Sequence, residues 1–109
     1  MSADARFNEM RAALVQGNRF YADRLKETAR FEDLPFTTKQ QLVEDQASNP
    51  PFGSNLTFPM ARYSRLHQTS GTAGKPILWL DTPESWDWWL RCWIRVYEAA
   101  GARPGDRVY

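Results

Sequence analysis

The stretch LHQTSGTAGKPILWL, residues Leu66–Leu80, decides the fold of this chain. Its middle is rich in glycine and hydroxyl residues, and a lysine and a proline precede an apolar run. Glycine lets a backbone approach a ligand closely and lysine supplies a mobile positive charge, so this composition suits a loop that holds phosphate. The candidate ligand-binding residues are Thr69, Ser70, Gly71, Thr72, Ala73, Gly74 and Lys75.

The loop departs from the nucleotide-triphosphatase pattern G-x-x-x-x-G-K-[ST] at two positions. Thr69 stands where that pattern has its first glycine, and Pro76 stands where it has Ser or Thr. Proline has no N–H group and favours an extended conformation at the preceding Lys75. The sequence therefore predicts that this loop leads into a strand, whereas the nucleotide-triphosphatase loop leads into a helix.

The segments on both sides of the loop have strand patterns. Alternation predicts one strand around Tyr63–Gln68, and the apolar run PILWL predicts a second over residues 76–80. Thr82 then caps a predicted helix with Pro83 and Glu84 in its first turn, which suits the positive end of a helix dipole. We expect this helix to run to Ala100 and to stop at Gly101.

This last helix is unusually apolar, and it holds four of the five tryptophans of the chain. Helical spacing predicts an apolar stripe, which widens past half the circumference. We interpret the tryptophans as core residues rather than an aromatic ligand pocket, and Cys92 as a small buried apolar residue. Such a helix needs cover on two sides, which the rest of the chain can hardly supply. The stripe comprises Trp86, Trp89, Leu90, Trp93, Tyr97 and Ala100, widened by Trp88, Cys92 and Val96.

The amino-terminal part has helical patterns. An amphipathic helix is predicted from Ala3 to the Gly17-Asn18 break, followed by a second helical stretch, RFYADRLKET, over residues 19–28. Thr38 and Gln41 predict a capping box for a short helix over residues 39–46. Prolines and turn-prone residues predict an ordered connecting loop over residues 47–60.

The closing sequence ARPGDRVY predicts a turn at residues 104–106 and then the first residues of a strand. We interpret this as a chain that is cut short, the alternative being a natural small protein with a frayed end. At 109 residues the chain is expected to form at most one domain.

Composition excludes several classes of function. The formal net charge is +1 with scattered basic residues, so neither nucleic acid nor an anionic membrane is the expected partner. A single cysteine excludes an internal disulfide framework and a metal site of several cysteines. With no apolar run of spanning length and no secretory signal, we expect a soluble, cytoplasmic protein.

The segment TSGTAGKP, residues 69–76, resembles the phosphate-binding motif of the adenylate-forming superfamily. DLPFTTK (33–39), RLHQTSG (65–71) and AAGARPGDRV (99–108) resemble the phenylacetate-CoA ligase branch. This resemblance implies an α/β fold: the N-terminal portion of the large domain of such an enzyme, spanning residues 1–109. Its helical lead-in would cover about residues 3–46 and its phosphate-loop region about 62–109.

The resemblance also implies a function. Such ligases join a carboxylic acid to AMP from ATP, with Mg²⁺, and then transfer the acyl group to coenzyme A. The acidic metal-binding residue, the ribose-binding aspartate and the late lysine of the family lie beyond Tyr109, so no catalytic residue or metal ligand is assigned. The chain alone is expected to be inactive, with the remainder of a ligase as a further partner. Ala73 departs from the family, which usually has Thr or Ser there.

Three alternatives stay open from the sequence. The loop over residues 69–75 could be a flexible polar hairpin turn without a ligand. For His67 we favour a hydrogen-bonded structural role over catalysis, because no carboxylate or nucleophile is fixed beside it in the sequence. The whole chain could be a non-enzymatic interaction module that meets a partner through its tryptophan helix.

Overall fold

The computed structural model describes residues 1–71 and 74–109. Helices lead into a two-stranded hairpin, and one long helix follows it. This arrangement confirms the predicted incomplete α/β architecture, in which a helical start precedes a strand-loop-strand and a long helix. The elements are α1 (Ala3–Gly17), α2 (Arg19–Leu25), α3 (Lys39–Ser48), β1 (Arg65–Gln68), β2 (Leu78–Asp81) and α4 (Pro83–Ala99), with 3₁₀ turns at Phe31–Asp33 and Met60–Arg62.

The first two helices are separated by a single residue, Asn18. Its side-chain oxygen accepts from the Tyr21 N–H and so caps α2, while its own N–H donates to the Leu14 carbonyl and closes α1. The predicted break therefore lies where expected. The second helix is shorter than predicted: it ends at Leu25, because the Thr28 N–H turns back to the Leu25 carbonyl.

A cluster of polar residues, which we call the polar hub, ties the helices to the loop that follows α3. It comprises Asn18, Asp45, Ser54, Thr57 and Tyr63. The Asn18 amide donates to Thr57 Oγ1 at 3.0 Å, and Asp45 accepts from both the N–H and the hydroxyl of Ser54. The Tyr63 hydroxyl accepts from the Thr57 N–H at 2.9 Å. The buried Asn18 and Ser54 each need hydrogen-bond partners, so these two sets of hydrogen bonds favour one path for the loop.

Helix α3 begins as the sequence predicts. The Thr38 hydroxyl accepts from the Gln41 N–H, and the Gln41 side chain accepts from the Thr38 N–H, forming the predicted capping box. The helix continues two residues past the predicted end, to Ser48, where the Asn49 N–H donates to the Asp45 carbonyl.

Strands β1 and β2 pair antiparallel, with Arg65 opposite Asp81 and His67 opposite Trp79. Both strands exist as predicted, but their bounds differ. The first begins at Arg65 rather than Tyr63, whose hydroxyl belongs to the polar hub. The second begins at Leu78 and extends to Asp81.

Helix α4 follows the hairpin and begins at the predicted cap. Thr82 Oγ1 accepts from the Ser85 N–H and Ser85 Oγ accepts from the Thr82 N–H, a reciprocal pair that the sequence analysis did not identify. The helix ends at Ala99, and Gly101 adopts a φ of 77°.

The predicted burial of this helix is wrong for the chain as it stands. Trp88, Trp89 and Trp93 expose 69%, 46% and 40% of their surface, and Cys92 is exposed rather than buried. The reason is geometric, because α4 contacts little of the chain beyond β2. A helical stripe can be buried only where another element lies against it.

The predicted terminal strand is absent from the described residues. A turn forms at Pro104–Gly105 and residues 107–109 are irregular and exposed. A strand needs a neighbouring strand with which it forms hydrogen bonds. In the described sheet, which consists of β1 and β2, residues 107–109 are not paired with either strand.

The core is small. Among the described residues, Leu25 and Ile77 are the buried apolar side chains, at 2% and 3% exposure. No helix in the described part of the chain has both the length and the apolar character that crossing a bilayer requires.

Candidate functional site

The loop between β1 and β2 is closed at its base by Thr69. The Thr69 N–H donates to the Ile77 carbonyl at 3.0 Å, and the Ile77 N–H donates to Thr69 Oγ1 at 2.8 Å. The Thr69 hydroxyl thus serves as an internal acceptor, while its proton can still be donated elsewhere. This hydroxyl has a structural role that the sequence analysis did not assign.

Gly71 occupies a position that no other residue can fill without strain. Its φ is 69°, and a Cβ there would lie 2.9 Å from the Gly74 carbonyl oxygen and 3.0 Å from Pro76 Cδ. The Gly74 N–H donates to the Gly71 carbonyl at 3.1 Å. Among the described loop residues, Gly71 therefore occupies a position where the backbone requires glycine.

Gly74 differs from Gly71 in its surroundings. Its φ is 137°, yet a Cβ on it would meet nothing within 4 Å. The neighbouring Lys75 is exposed, as is Ser70 on the other side of the loop. Thr72 and Ala73, two of the predicted ligand-binding residues, lie outside the described residues. The structure thus brings Thr69, Ser70, Gly71, Gly74 and Lys75 together at one end of the hairpin.

Gln46 of α3 fastens the strand that leaves the loop. Its side-chain oxygen accepts from the Leu78 N–H at 3.0 Å, and its amide donates to the Leu78 carbonyl at 2.7 Å. Thr69 and Ile77 form a hydrogen-bonded pair, so the N–H and C=O groups of the next residue, Leu78, point away from β1. A further strand would normally pair with these groups on that side. The Gln46 amide takes the place of that strand. No local pattern marks this contact, since 32 residues separate the partners.

His67 lies on the sheet face that meets α4. Its ring stacks on Trp86 with centroids 4.9 Å apart and an interplanar angle of 12°. The Arg65 guanidinium lies 4.6 Å from the centre of the same indole ring. His67 Nε2 is 3.8 Å from Asp81 Oδ2, beyond hydrogen-bond distance. Stacking on Trp86 therefore supports the predicted structural role of His67. The expected hydrogen bond of His67 does not form with Asp81.

Glu84 lies in the first turn of α4, where backbone N–H groups point outward. A hydrogen bond from its own backbone N–H lowers the pKa of its carboxyl group, and the Thr82 side chain lowers it further. Arg62 adds a weaker effect in the same direction, with its Nη2 3.4 Å from Glu84 Oε1. The carboxylate is therefore held ionised and stabilises the start of the helix.

The described residues include no group of three His, Cys, Asp or Glu side chains arranged to hold a metal ion. The loop itself supplies hydroxyl, amide and ammonium groups, which donate hydrogen bonds and positive charge. Such a donor set favours an anion over a cation.

Comparison with known proteins gives a consistent result. The chain is 36% identical over 89 residues to the phenylacetate-coenzyme A ligase of Aromatoleum evansii. It is 34% identical over 89 residues to the ligase of the same name from Escherichia coli (strain K12). Each match covers 82% of this chain and 19% of the relative, so the chain spans about one fifth of the length of these curated relatives. No family model matches the chain.

Solved structures show the same relationship. An open conformation of 2-hydroxyisobutyryl-CoA ligase, in complex with 2-HIB-AMP and CoA, matches 94% of this chain with a TM-score of 0.75 and 25% identity. The same ligase in its postadenylation state, with 2-HIB-AMP, matches 97% with a TM-score of 0.67 and 27% identity. The matches cover 24% and 26% of those chains. These similarities support a phenylacetate-CoA ligase-like segment, similar in sequence to part of those ligases and in fold to part of 2-hydroxyisobutyryl-CoA ligase.

Proposed function

We propose that this chain supplies the ATP phosphate-binding loop of an AMP-forming acid–CoA ligase. The observation that supports the proposal is the positive φ of Gly71 at the end of the hairpin where the exposed Lys75 and the open flank of Gly74 also lie. The similarity to phenylacetate-coenzyme A ligases supports it. The role of residues 69–75, the use of ATP and coenzyme A, and a cytoplasmic location are parts of this proposal.

The proposed chemistry gives each described loop group a task. A carboxylate oxygen attacks the α-phosphorus of ATP, and the bond to pyrophosphate breaks, leaving an acyl-adenylate. The thiol of coenzyme A then attacks the acyl carbon, AMP departs, and the thiol proton is released. Negative charge accumulates on the departing pyrophosphate, where the Lys75 ammonium would stabilise it. The Ser70 hydroxyl and the Gly71 amide would fix the position of the phosphates.

Two amides of the loop are engaged within the hairpin, those of Thr69 and Gly74. The proposal therefore assigns the grip mainly to Lys75 and Ser70, with Thr72 as a further hydroxyl donor. Mg²⁺ accompanies ATP in this proposal, and no metal ligand is proposed in this chain. The acid substrate is likewise assigned only as a carboxylic acid.

The loop assignment can be tested with the chain alone. We would titrate the ¹⁵N-labelled chain with inorganic pyrophosphate and follow backbone amide shifts. We expect saturable shifts centred on Ser70, Gly71 and Lys75, and we expect Lys75→Ala to weaken binding by about tenfold, the scale of one charge-assisted hydrogen bond. Lys39→Ala removes the same charge at an exposed helix start and is the matched control. Equal loss in both variants, or no shift at the loop, would contradict the assignment.

A second candidate, a non-enzymatic interaction module, is favoured by one observation, the exposed aromatic surface of α4. The two candidates differ in the titration above, since an interaction module has no need to bind pyrophosphate. In either case we expect the chain alone to show no exchange of pyrophosphate into ATP. Measurable exchange in the presence of a carboxylic acid would show that the missing four fifths of the relatives' length is dispensable.

A further inference from the structure

The backbone that leaves the loop toward β2 is held from two sides. The Ile77 N–H donates to Thr69 Oγ1 at 2.8 Å, and the Ile77 carbonyl accepts from the Thr69 N–H at 3.0 Å. On the other side, the Leu78 N–H donates to Gln46 Oε1 at 3.0 Å, and the Leu78 carbonyl accepts from Gln46 Nε2 at 2.7 Å. All four polar groups of two consecutive residues are therefore paired, which fixes this point of the chain relative to both the end of β1 and α3.

One stiff residue, Pro76, separates this fixed point from the charged group of the loop. Its ring holds φ near −65° and restricts the preceding Lys75 to an extended conformation. The ring also lies against Gly71, where an added Cβ would come within 3.0 Å of Pro76 Cγ and Cδ. The position of Ile77 and Leu78 therefore determines, within narrow limits, where the backbone of Lys75 lies and from which point its exposed side chain extends.

Gln46 is itself well supported. The preceding residue, Asp45, accepts from the Ser54 N–H at 2.7 Å in the polar hub, which ties this part of α3 to the loop that follows the helix. Gly53 leaves the space that the Gln46 side chain occupies, because a Cβ on Gly53 would lie 2.8 Å from Gln46 Cγ. Gln46 is half-buried, so ordering of its side chain is largely accomplished by packing.

We propose that Gln46 is a positioning residue for Lys75. By holding Leu78, it sets where the Lys75 ammonium stands and thereby the affinity of the loop for phosphate. Both residues border one recess of about 230 Å³ between α3 and the end of the loop, together with Pro51 and Pro76. The inference rests on the proposed function, and it adds a residue of α3 that lies outside the loop, 32 positions before the strand residue it holds.

The first test measures the affinity of the ¹⁵N-labelled chain for inorganic pyrophosphate by amide shifts. Gln46→Met keeps the length of the side chain but removes both hydrogen bonds to Leu78, and we expect it to weaken binding by about fivefold. Gln40→Met is the matched control on the same helix, because Gln40 is exposed and its amide donates to Glu44 at 2.8 Å. It should change the affinity by less than about 1.5-fold.

Far-UV circular dichroism verifies that each variant keeps its helices. Gln46→Leu, a second apolar replacement, repeats the measurement if Gln46→Met does not fold.

A double-mutant cycle separates positioning from a general structural role. If Gln46 acts through Lys75, Gln46→Met should weaken binding by less than about 1.5-fold further in a chain that already carries Lys75→Ala. If Gln46 only supports the fold, the two losses multiply, because each change then acts independently of the other. Multiplying losses would overturn the proposal.

A second readout needs no ligand. In the free chain, ¹⁵N relaxation should show the order parameter of the Lys75 amide falling from the rigid range, about 0.85, toward 0.6 in Gln46→Met. Gln40→Met should leave it unchanged. A Lys75 amide that is equally ordered in both variants would overturn the inference.

The two proposals fail in different ways. An unmutated chain that does not bind pyrophosphate would contradict the phosphate-loop assignment, and the relaxation measurement would still decide whether Gln46 holds Lys75. Equal affinity of the unmutated chain and Gln46→Met would overturn the positioning role alone.

Discussion

The polar hub differs from the row of aromatic rings on α4, which we call the aromatic face and which comprises Trp86, Trp89, Trp93 and Tyr97. In the hub, short polar side chains pair across the chain: Asn18, at 2% exposure, joins a helix start to a loop 39 residues away. On the aromatic face, large rings contact mainly one another. The hydrogen bonds of the hub join residues of this chain. Much of the aromatic face, in contrast, is exposed. A residue's type therefore does not decide whether it is buried; the presence of a facing element does.

The largest effect is expected from breaking the hub at Asp45. Its carboxylate accepts from the Ser54 N–H at 2.7 Å, from the Ser54 hydroxyl and from the Asn49 amide at 3.1 Å. Asp45→Ala leaves these donors without their acceptor, and we expect it to lower the free energy of unfolding by about 3 kcal/mol. Glu44→Ala, the exposed neighbour, is the control. Urea unfolding measures both, and equal losses would show that the hub is not special.

A smaller loss of unfolding free energy is expected when a side chain is added beside the hub than when a hydrogen-bond acceptor is removed from it. Gly53 has a φ of 81°, and a Cβ there would lie 2.5 Å from Asp45 Oδ2. Gly53→Ala combines backbone strain with this clash and should cost about 2 kcal/mol. Gly105, with a φ of 94° and open space around it, isolates the backbone contribution. Gly105→Ala should cost about half as much, and the difference, measured by urea unfolding, reports the contacts with Asp45 and Gln46.

The aromatic face should be insensitive by comparison. Replacing a fully buried aromatic residue by alanine costs about 3–5 kcal/mol, but Trp93→Ala in this chain should cost less, about 1–2 kcal/mol, because the residue is 40% exposed. Ile77→Ala, at a site that is 3% exposed, should cost about 2–4 kcal/mol. Thermal unfolding followed by circular dichroism compares them. A loss at Trp93 as large as that at Ile77 would mean that the aromatic face is already covered in solution.

The smallest effect concerns pH at the start of α4. The pKa of Glu84 is lowered in the folded chain, so its stabilising contribution is present above the unfolded pKa and is lost as pH falls through the folded pKa. We expect the amides of the first turn of α4 to shift with this titration, as followed by NMR. Glu84→Gln should abolish that transition and leave the amides of α1 unchanged. Persistence of the transition in the variant would assign it to another group.

Much of the local structure could be predicted because its causes lie within a few residues. The predicted capping box at Thr38 and the predicted N-cap at Thr82 satisfy amides of the adjacent turn. Pro76 directed the loop into a strand because it lacks an N–H and restricts the residue before it. These effects need no knowledge of distant contacts, and the structure confirms them.

The errors arose where a distant partner decided the outcome. Cys92, Trp89 and Trp93 have the spacing of a buried stripe, but they stay exposed because little of the described chain beyond β2 lies against α4. Tyr63 has the pattern of a strand residue, yet its hydroxyl is drawn to the backbone at Thr57. The predicted terminal strand is absent for a similar reason, since among residues 1–71 and 74–109 no strand lies beside it to pair with it.

Local sequence was sufficient for the helices, the two strands, the position of the loop and the family resemblance, because caps, turns and periodicity act over short distances. Local sequence did not predict the hydrogen bonds of Gln46 with Leu78, the polar hub or the stacking of His67 on Trp86, because each joins residues far apart in the chain. These depend on which elements meet in space. The exposed aromatic face of α4 belongs to the same class, because burial is a property of two surfaces and this chain contains one of them.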